Sequence, residues 1–309
     1  MTSSLGNWCL GIKLKDNELK RVIINNRKMC ISKVKSVHSL INDKCPHRGA
    51  SMSEGKIKNE NLQCPYHGLE FDISGNLVSV PSSLKLPKNC KVEKYNIFEN
   101  GGFLWTEADN SANYCKQLND PNWNKIYGQK IVNGNIVDWI MNGSDISDIN
   151  FVHDFADEEN GINNFKVEEN ERYIECFATF QPKPSSKLTT VLQPVNEIGY
   201  EITSRFILPG TTLIHIKLKE PYEFITFTTL TPVTYNTSMI SWAFMYPNKG
   251  ILKLPIFKEK FRQSIYKTIM QEEHIIEMLE KVPYTFNVES NAFQIAILKA
   301  LDENIFKNL

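Results

Sequence analysis

Along the first third of the chain, short apolar runs alternate with turn formers. Residues 21–24, 29–34, 69–72 and 77–80 are each bounded by Asn, Gly or Pro, which predicts strands, and Ser74-Gly75-Asn76 reads as a hairpin turn. The stretch from Val80-Pro81 to Leu86-Pro87, then residues 92–98 and 101–105, predicts three further extended pieces that close a small β domain. Between about 108 and 130 the chain turns polar, with Asp109-Asn110-Ser111 and Asp120-Pro121-Asn122, and is expected to be a linker. Residues 136–153 mix helical spacing with Asn and Asp. From 164 to 247, β-rich stretches such as 224–231 and 239–246 predict a second sheet. Residues 258–281 carry Phe261, Ile265, Ile269, Ile276 and Leu279 at spacings of three, four and seven, an amphipathic helix. The pattern is α+β, with domains expected at 1–110 and 111–309.

Length supports that division, since 309 residues is about twice a usual domain. Hydrophobic residues make up 41% and aromatics 11%, enough for a packed core. Lys plus Arg equals Asp plus Glu at 35 each, so no overall field draws nucleic acid or an anionic membrane, and neither is expected as a partner. No apolar run approaches the roughly 18 residues of a membrane span, and residues 1–10 lack a basic start with an apolar stretch. The expected address is the cytoplasm.

Seven cysteines, at 9, 30, 45, 64, 90, 115 and 176, are odd in number and scattered, unlike a disulfide framework. Five are expected to pack as small apolar residues. The other two fall in matching loops, Cys45-Pro46-His47-Arg48-Gly49-Ala50 and Cys64-Pro65-Tyr66-His67-Gly68, with 16 residues between His47 and Cys64. Each loop offers one thiolate and one imidazole, the supply needed by a [2Fe-2S] cluster with two Cys on one iron and two His on the other. Replacing two thiolates by neutral imidazoles removes negative charge and raises the reduction potential. Two Cys and two His also satisfy tetrahedral zinc, but zinc fingers keep like ligands together, whereas each loop here is mixed.

On these loops, residues 35–105 resemble the Rieske domain of the Rieske non-haem iron oxygenases. The resemblance implies that Cys45, His47, Cys64 and His67 hold the cluster. Membrane-complex Rieske proteins carry an extra cysteine in each loop. Ala50 and Tyr66 stand in those places here, which points to the oxygenase or ferredoxin branch. A free ferredoxin would leave the last two thirds of the chain unexplained.

Those residues also resemble the family, whose second domain holds mononuclear iron through two His and one carboxylate. The implied fold is an α+β, helix-grip (START/SRPBCC-like) domain with an antiparallel sheet and a long C-terminal helix. The family pattern Asn-x-x-Asp-x-x-His-x-x-x-x-His on a helix is met by Asn142, Asp145 and His153, with Asp148 in place of the first histidine. Glu272-Glu273-His274-Ile275-Ile276-Glu277 matches the later carboxylate motif, with Glu272 as the ligand where Asp is usual. At about 100° per residue Glu272 falls mid-way across the apolar stripe and Glu273 at its margin, solvated or paired. A carboxylate on a buried stripe needs a cation or a proton. Asp148, His153 and Glu272 would offer one nitrogen and two oxygens to Fe(II). Asp148 as a helix-surface acid and His153 as a core histidine are the plain alternatives, and His274 and His215 are further imidazoles. Asp145 matches the family's bridge between a Rieske histidine of one subunit and an iron ligand of the next, which implies a homotrimer; helix capping is its plain alternative.

The resemblance is strongest to the monooxygenase and O-demethylase branch related to vanillate demethylase. It implies an oxygenase that takes electrons from NAD(P)H through a reductase or ferredoxin, and uses O2 to hydroxylate or demethylate a small organic substrate. The competing expectation is an electron-transfer or partner subunit whose mononuclear site has decayed. Desaturation or N-oxygenation at the same iron is a third.

Overall fold

The structure, a computed structural model, describes residues 5–81, 90–150, 152, 162–181, 199–218, 222–279 and 292–304. The chain divides into two units, one of residues 1–110 with 231–235 and one of residues 111–230 with 236–309.

The first unit is built from hairpins whose turns are written in the sequence. β2 (Glu18–Ile24) and β3 (Arg27–Val34) join through Asn25-Asn26, both at positive φ, the two-residue turn whose twist matches paired strands. β3 and β4 (Val37–Asn42) join through Lys35-Ser36 in the same way, as do β5 (Lys56–Lys58) and β6 (Asn61–Gln63) through Asn59-Glu60. With β1 (Cys9–Ile12), β7 (Glu70–Phe71), β8 (Leu77–Ser79), β9 (Lys94–Tyr95), β10 (Phe98–Asn100) and β11 (Phe103–Trp105), these strands form three small sheets. Their orders are β1-β11-β10, β2-β3-β4-β9 and β5-β6-β7-β8. Asp72 closes the turn between β7 and β8 by accepting from the amides of Ser74 and Asn76. The pieces expected at 92–98 and 101–105 are shorter than the sequence suggested. Leu86-Pro87 lies outside the described residues.

The second unit holds a seven-stranded antiparallel sheet: β12 (Trp123–Asn133), β13 (Ile162–Glu169), β14 (Tyr173–Phe180), β15 (Tyr200–Ile207), β16 (Thr211–Lys217), β17 (Glu223–Thr234) and β18 (Thr237–Pro247). β13 to β18 follow in sequence, and β12 adds beside β18 at the far edge. That strand corrects the linker expected up to about residue 130. Its polar letters hide it, and so does Gly128, which is set opposite Trp242 with the indole ring where a Cβ would stand. Gly128→Val is expected to destabilise the protein by about 1–3 kcal/mol through overpacking, read as a lowered thermal midpoint.

Among the described residues, three α-helices complete the unit. α1 (Ile136–Gly143) starts at Asn135, whose side chain accepts from the amides of Val137 and Asp138. α2 (Pro255–Met278) opens on a proline and buries Phe261, Ile269 and Ile276. The stripe was expected to run on through Leu279, but the helix ends at Met278. Leu279 turns extended and is 58% exposed. α3 (Ala292–Asn304), not anticipated, buries Phe293, Ala296, Ile297 and Leu301 in the core shared with the sheet and α1. Gln294 on α3 donates to the carbonyl of Met141, which fixes the end of α1.

Candidate metal centres and cavity

The two matching loops of the first unit are built alike. The Cys45 amide donates to the Ala50 carbonyl and the Gly49 amide to the Cys45 carbonyl. In the second loop the Cys64 amide donates to Leu69 and the Gly68 amide to Cys64. Gly49 and Gly68 sit at φ +74° and +71°, a conformation that favours glycine and lets each loop fold back after its histidine. Both thiols are buried, at 2% exposure, against Cys30, Ile41, Met52, Leu62 and Phe71. Burial pushes the Cys45 thiol up to about 11, and the Cys64 thiol beside it adds to the effect. The His47 and His67 rings stand 4.6 Å apart, and Tyr66 packs on His67 at 3.8 Å. The His47 Nδ1 atom is buried without a hydrogen-bond partner. Two adjacent thiols, two adjacent imidazoles and an orphaned ring nitrogen fit a [2Fe-2S] cluster in which each iron takes two protein ligands. Among the remaining cysteines, Cys9, Cys30, Cys115 and Cys176 are buried and Cys90 is half-buried, none of them in a disulfide.

In the second unit a cavity of about 300 Å³ lies between the sheet and α2, closed by α1 and the turn after it. Its wall follows the period of a strand: Ile202 and Ser204 on β15, Thr212, Ile214 and Ile216 on β16, Thr226 and Thr228 on β17, and Trp242 and Phe244 on β18. α2 faces them with Phe261, Ile265, Thr268, Ile269 and Glu272, the spacing of one helical face.

The Asn-x-x-Asp motif is not on one continuous helix. α1 stops at Gly143. Asp145 then opens a 3-10 turn over Ile146–Asn150, its Oδ1 accepting from the amide and hydroxyl of Ser147. Asn142, Asp145, Asp148 and Glu272 nonetheless all line the cavity. The Asn142 side-chain amide donates to Glu272 Oε2, tying α1 to α2. Burial raises the Asp148 carboxyl to about 9, and the carboxylates of Glu272 and Asp145 push the same way. Two carboxylates on an apolar wall fit a hard divalent cation, which would offset the repulsion between them. Glu273 turns from the cavity and pairs with Lys130.

His153 lies outside the described residues. Gln271 on α2 donates to the carbonyl of Val152, the residue before it. His215 is out of phase with the cavity-lining residues of β16 and bonds Glu223 at 2.6 Å, while His274 is exposed; neither lines the cavity. Among the described residues no three His, Cys, Asp or Glu side chains gather around one point. Sequence reading missed Ser204, Gln271 and Gln294; Ser204 shares an alternating strand pattern whose phase alone does not say which face meets the cavity.

Fold and cluster loops together define a protein with a Rieske-type first domain and an antiparallel-sheet second domain. Residues 9–95 match the Rieske [2Fe-2S] domain family. Over 103 residues the chain is 31% identical to methylxanthine N1-demethylase NdmA of Pseudomonas putida, covering 31% of this chain and 29% of that protein. It is 34% identical over 94 residues to the oxygenase component of dicamba O-demethylase from Stenotrophomonas maltophilia, covering 30% and 28%. The matched stretch thus spans less than a third of either curated relative. The solved structure of dicamba monooxygenase bound to dicamba superposes with a TM-score of 0.82 at 18% identity, covering 97% of this chain and 96% of the other, and so shares its fold. No described helix is long and apolar enough to cross a membrane.

Proposed function

We propose that the chain is the oxygenase component of a Rieske non-haem iron system. It acts in the cytoplasm as a homotrimer on a small organic substrate, with electrons from NAD(P)H delivered by a reductase or ferredoxin. Cys45, His47, Cys64 and His67 are the cluster ligands, and Asp148, His153 and Glu272 are the ligands of a mononuclear Fe(II). When bound, the cluster supplies single electrons and the ferrous ion supplies O2 activation for hydroxylation or demethylation.

The chain's own residues do the rest. The loops bury both thiols and set the two imidazoles side by side, with Tyr66 covering His67. Asn142 fixes the Glu272 carboxylate through its hydrogen bond. The largely apolar cavity holds the substrate beside Asp148 and Glu272. Asp145, on the cavity edge, is the bridge toward the Rieske histidine of a neighbouring copy. The observation that carries this reading is the placement of Asp148 and Glu272 together in one apolar cavity.

A second reading is an electron-transfer or partner subunit with a decayed iron site. It is favoured by two changed ligand types out of three, Asp148 in place of His and Glu272 in place of Asp. Oxygen uptake with a generic reductase separates the two. Uptake that is lost in His153→Ala, with the cluster spectrum intact, supports the oxygenase. Uptake that is absent in the parent, or unchanged in His153→Ala, counts against it.

A further inference from the structure

The charged residues on the described wall of the cavity are Asp145, Asp148 and Glu272, all acids, and no described Lys, Arg or His lines it. The nearby cations among the described residues are committed elsewhere. Arg205 is out of phase with Ser204 on β15 and binds Glu175 at 2.6 Å, and Lys130 is paired with Glu273. A carboxylate placed in this cavity would find no Lys, Arg or His on the described wall to pair with, and in the iron-loaded protein the charge of the ferrous ion is already offset by Asp148 and Glu272, so its desolvation goes uncompensated. Besides Asn142, which is tied to Glu272, and two indoles, the remaining polar side chains are hydroxyls. One of them, Ser204 Oγ, lies on a residue only 1% exposed and has no hydrogen-bond partner. A buried hydroxyl on a cavity wall has a donor to give, and the ligand is what can take it. Elsewhere on the wall, on β18 and α2, Trp242, Phe244 and Phe261 present ring surface.

We propose that this cavity takes a neutral, ring-bearing, largely apolar molecule with an acceptor atom that Ser204 hydrogen-bonds, and that it rejects carboxylates. The inference rests on the oxygenase reading of the same cavity, in which the three acids are committed to iron and the electron route and so do not call for a cationic ligand. It divides this chain from any relative whose substrate is an aromatic acid.

Calorimetric titration of the full-length, iron-loaded protein at neutral pH tests it with four probes of one shape: methyl 4-methoxybenzoate, 4-methoxytoluene, 4-methoxybenzoate and 4-methoxybenzylamine. The two neutral probes are expected to bind at least about tenfold more tightly than the benzoate. Ser204→Ala should weaken the ester about fivefold and leave 4-methoxytoluene unchanged, the loss of one hydrogen bond. Benzoate binding as tightly as the ester, no binding by either neutral probe, or an ester indifferent to Ser204→Ala would overturn the proposal. So would the amine binding most tightly. Iron measured on the same sample tells the two failures apart. With the mononuclear iron present only the substrate class is wrong, and without it the oxygenase reading fails too.

Discussion

Cys64→Ser is expected to abolish the cluster: acid-labile sulfide falls from about two per chain to near zero, and reductase-dependent oxygen uptake drops by more than about 100-fold. The serine hydroxyl is not ionised at neutral pH and cannot replace a thiolate. The control is Cys30→Ala. Cys30 is as buried as Cys64 and sits in the same core, but no histidine shares its segment, and burial pushes its thiol far above the ordinary range. That variant should keep its sulfide and visible spectrum. Loss of sulfide in both would mean that the core, not the ligand, had failed. Cavity binding should survive Cys64→Ser, since every described lining residue belongs to the second unit.

Glu272→Ala should act in the opposite sense. The cluster spectrum and sulfide stay, while iron falls by about one per chain and oxygen uptake falls by about 100-fold or more. Asn142 then loses its carboxylate partner, and Asp148 loses the neighbouring charge that helps push its carboxyl up. The metal-free variant should therefore be no less stable than the metal-free parent, although its activity is lost. A thermal melt of both chelated proteins, beside the uptake assay, makes the distinction. Activity retained in Glu272→Ala would remove this residue from the ligand set.

The cluster loops were legible because their chemistry demands residue types at fixed spacing, and the structure adds matching backbone bonds around Gly49 and Gly68 that let two short loops do the same job. Glu272 was legible from its angle on a helical stripe, and the helix does present it to the cavity beside Phe261, Ile265 and Ile269. The edge strand β12 was not, because Asn, Lys and Gln on it mimic a linker and its one glycine exists for a ring on the neighbouring strand. α3 was not, because Ile295 and Leu298 blur its apolar period at 293, 296, 297 and 301 into a near-continuous apolar run. The break of the Asn-x-x-Asp segment at Gly143 follows from that glycine and from Asp145 drawing the Ser147 amide into a new turn, a competition that spacing alone hides.

One chain is expected to hold two iron sites, the second built with one histidine and two carboxylates where the family pattern has two histidines and one carboxylate. Iron and acid-labile sulfide counted on the same purified, reconstituted sample test it directly. About three irons with two sulfides per chain is the predicted result, and about two irons with two sulfides would contradict it.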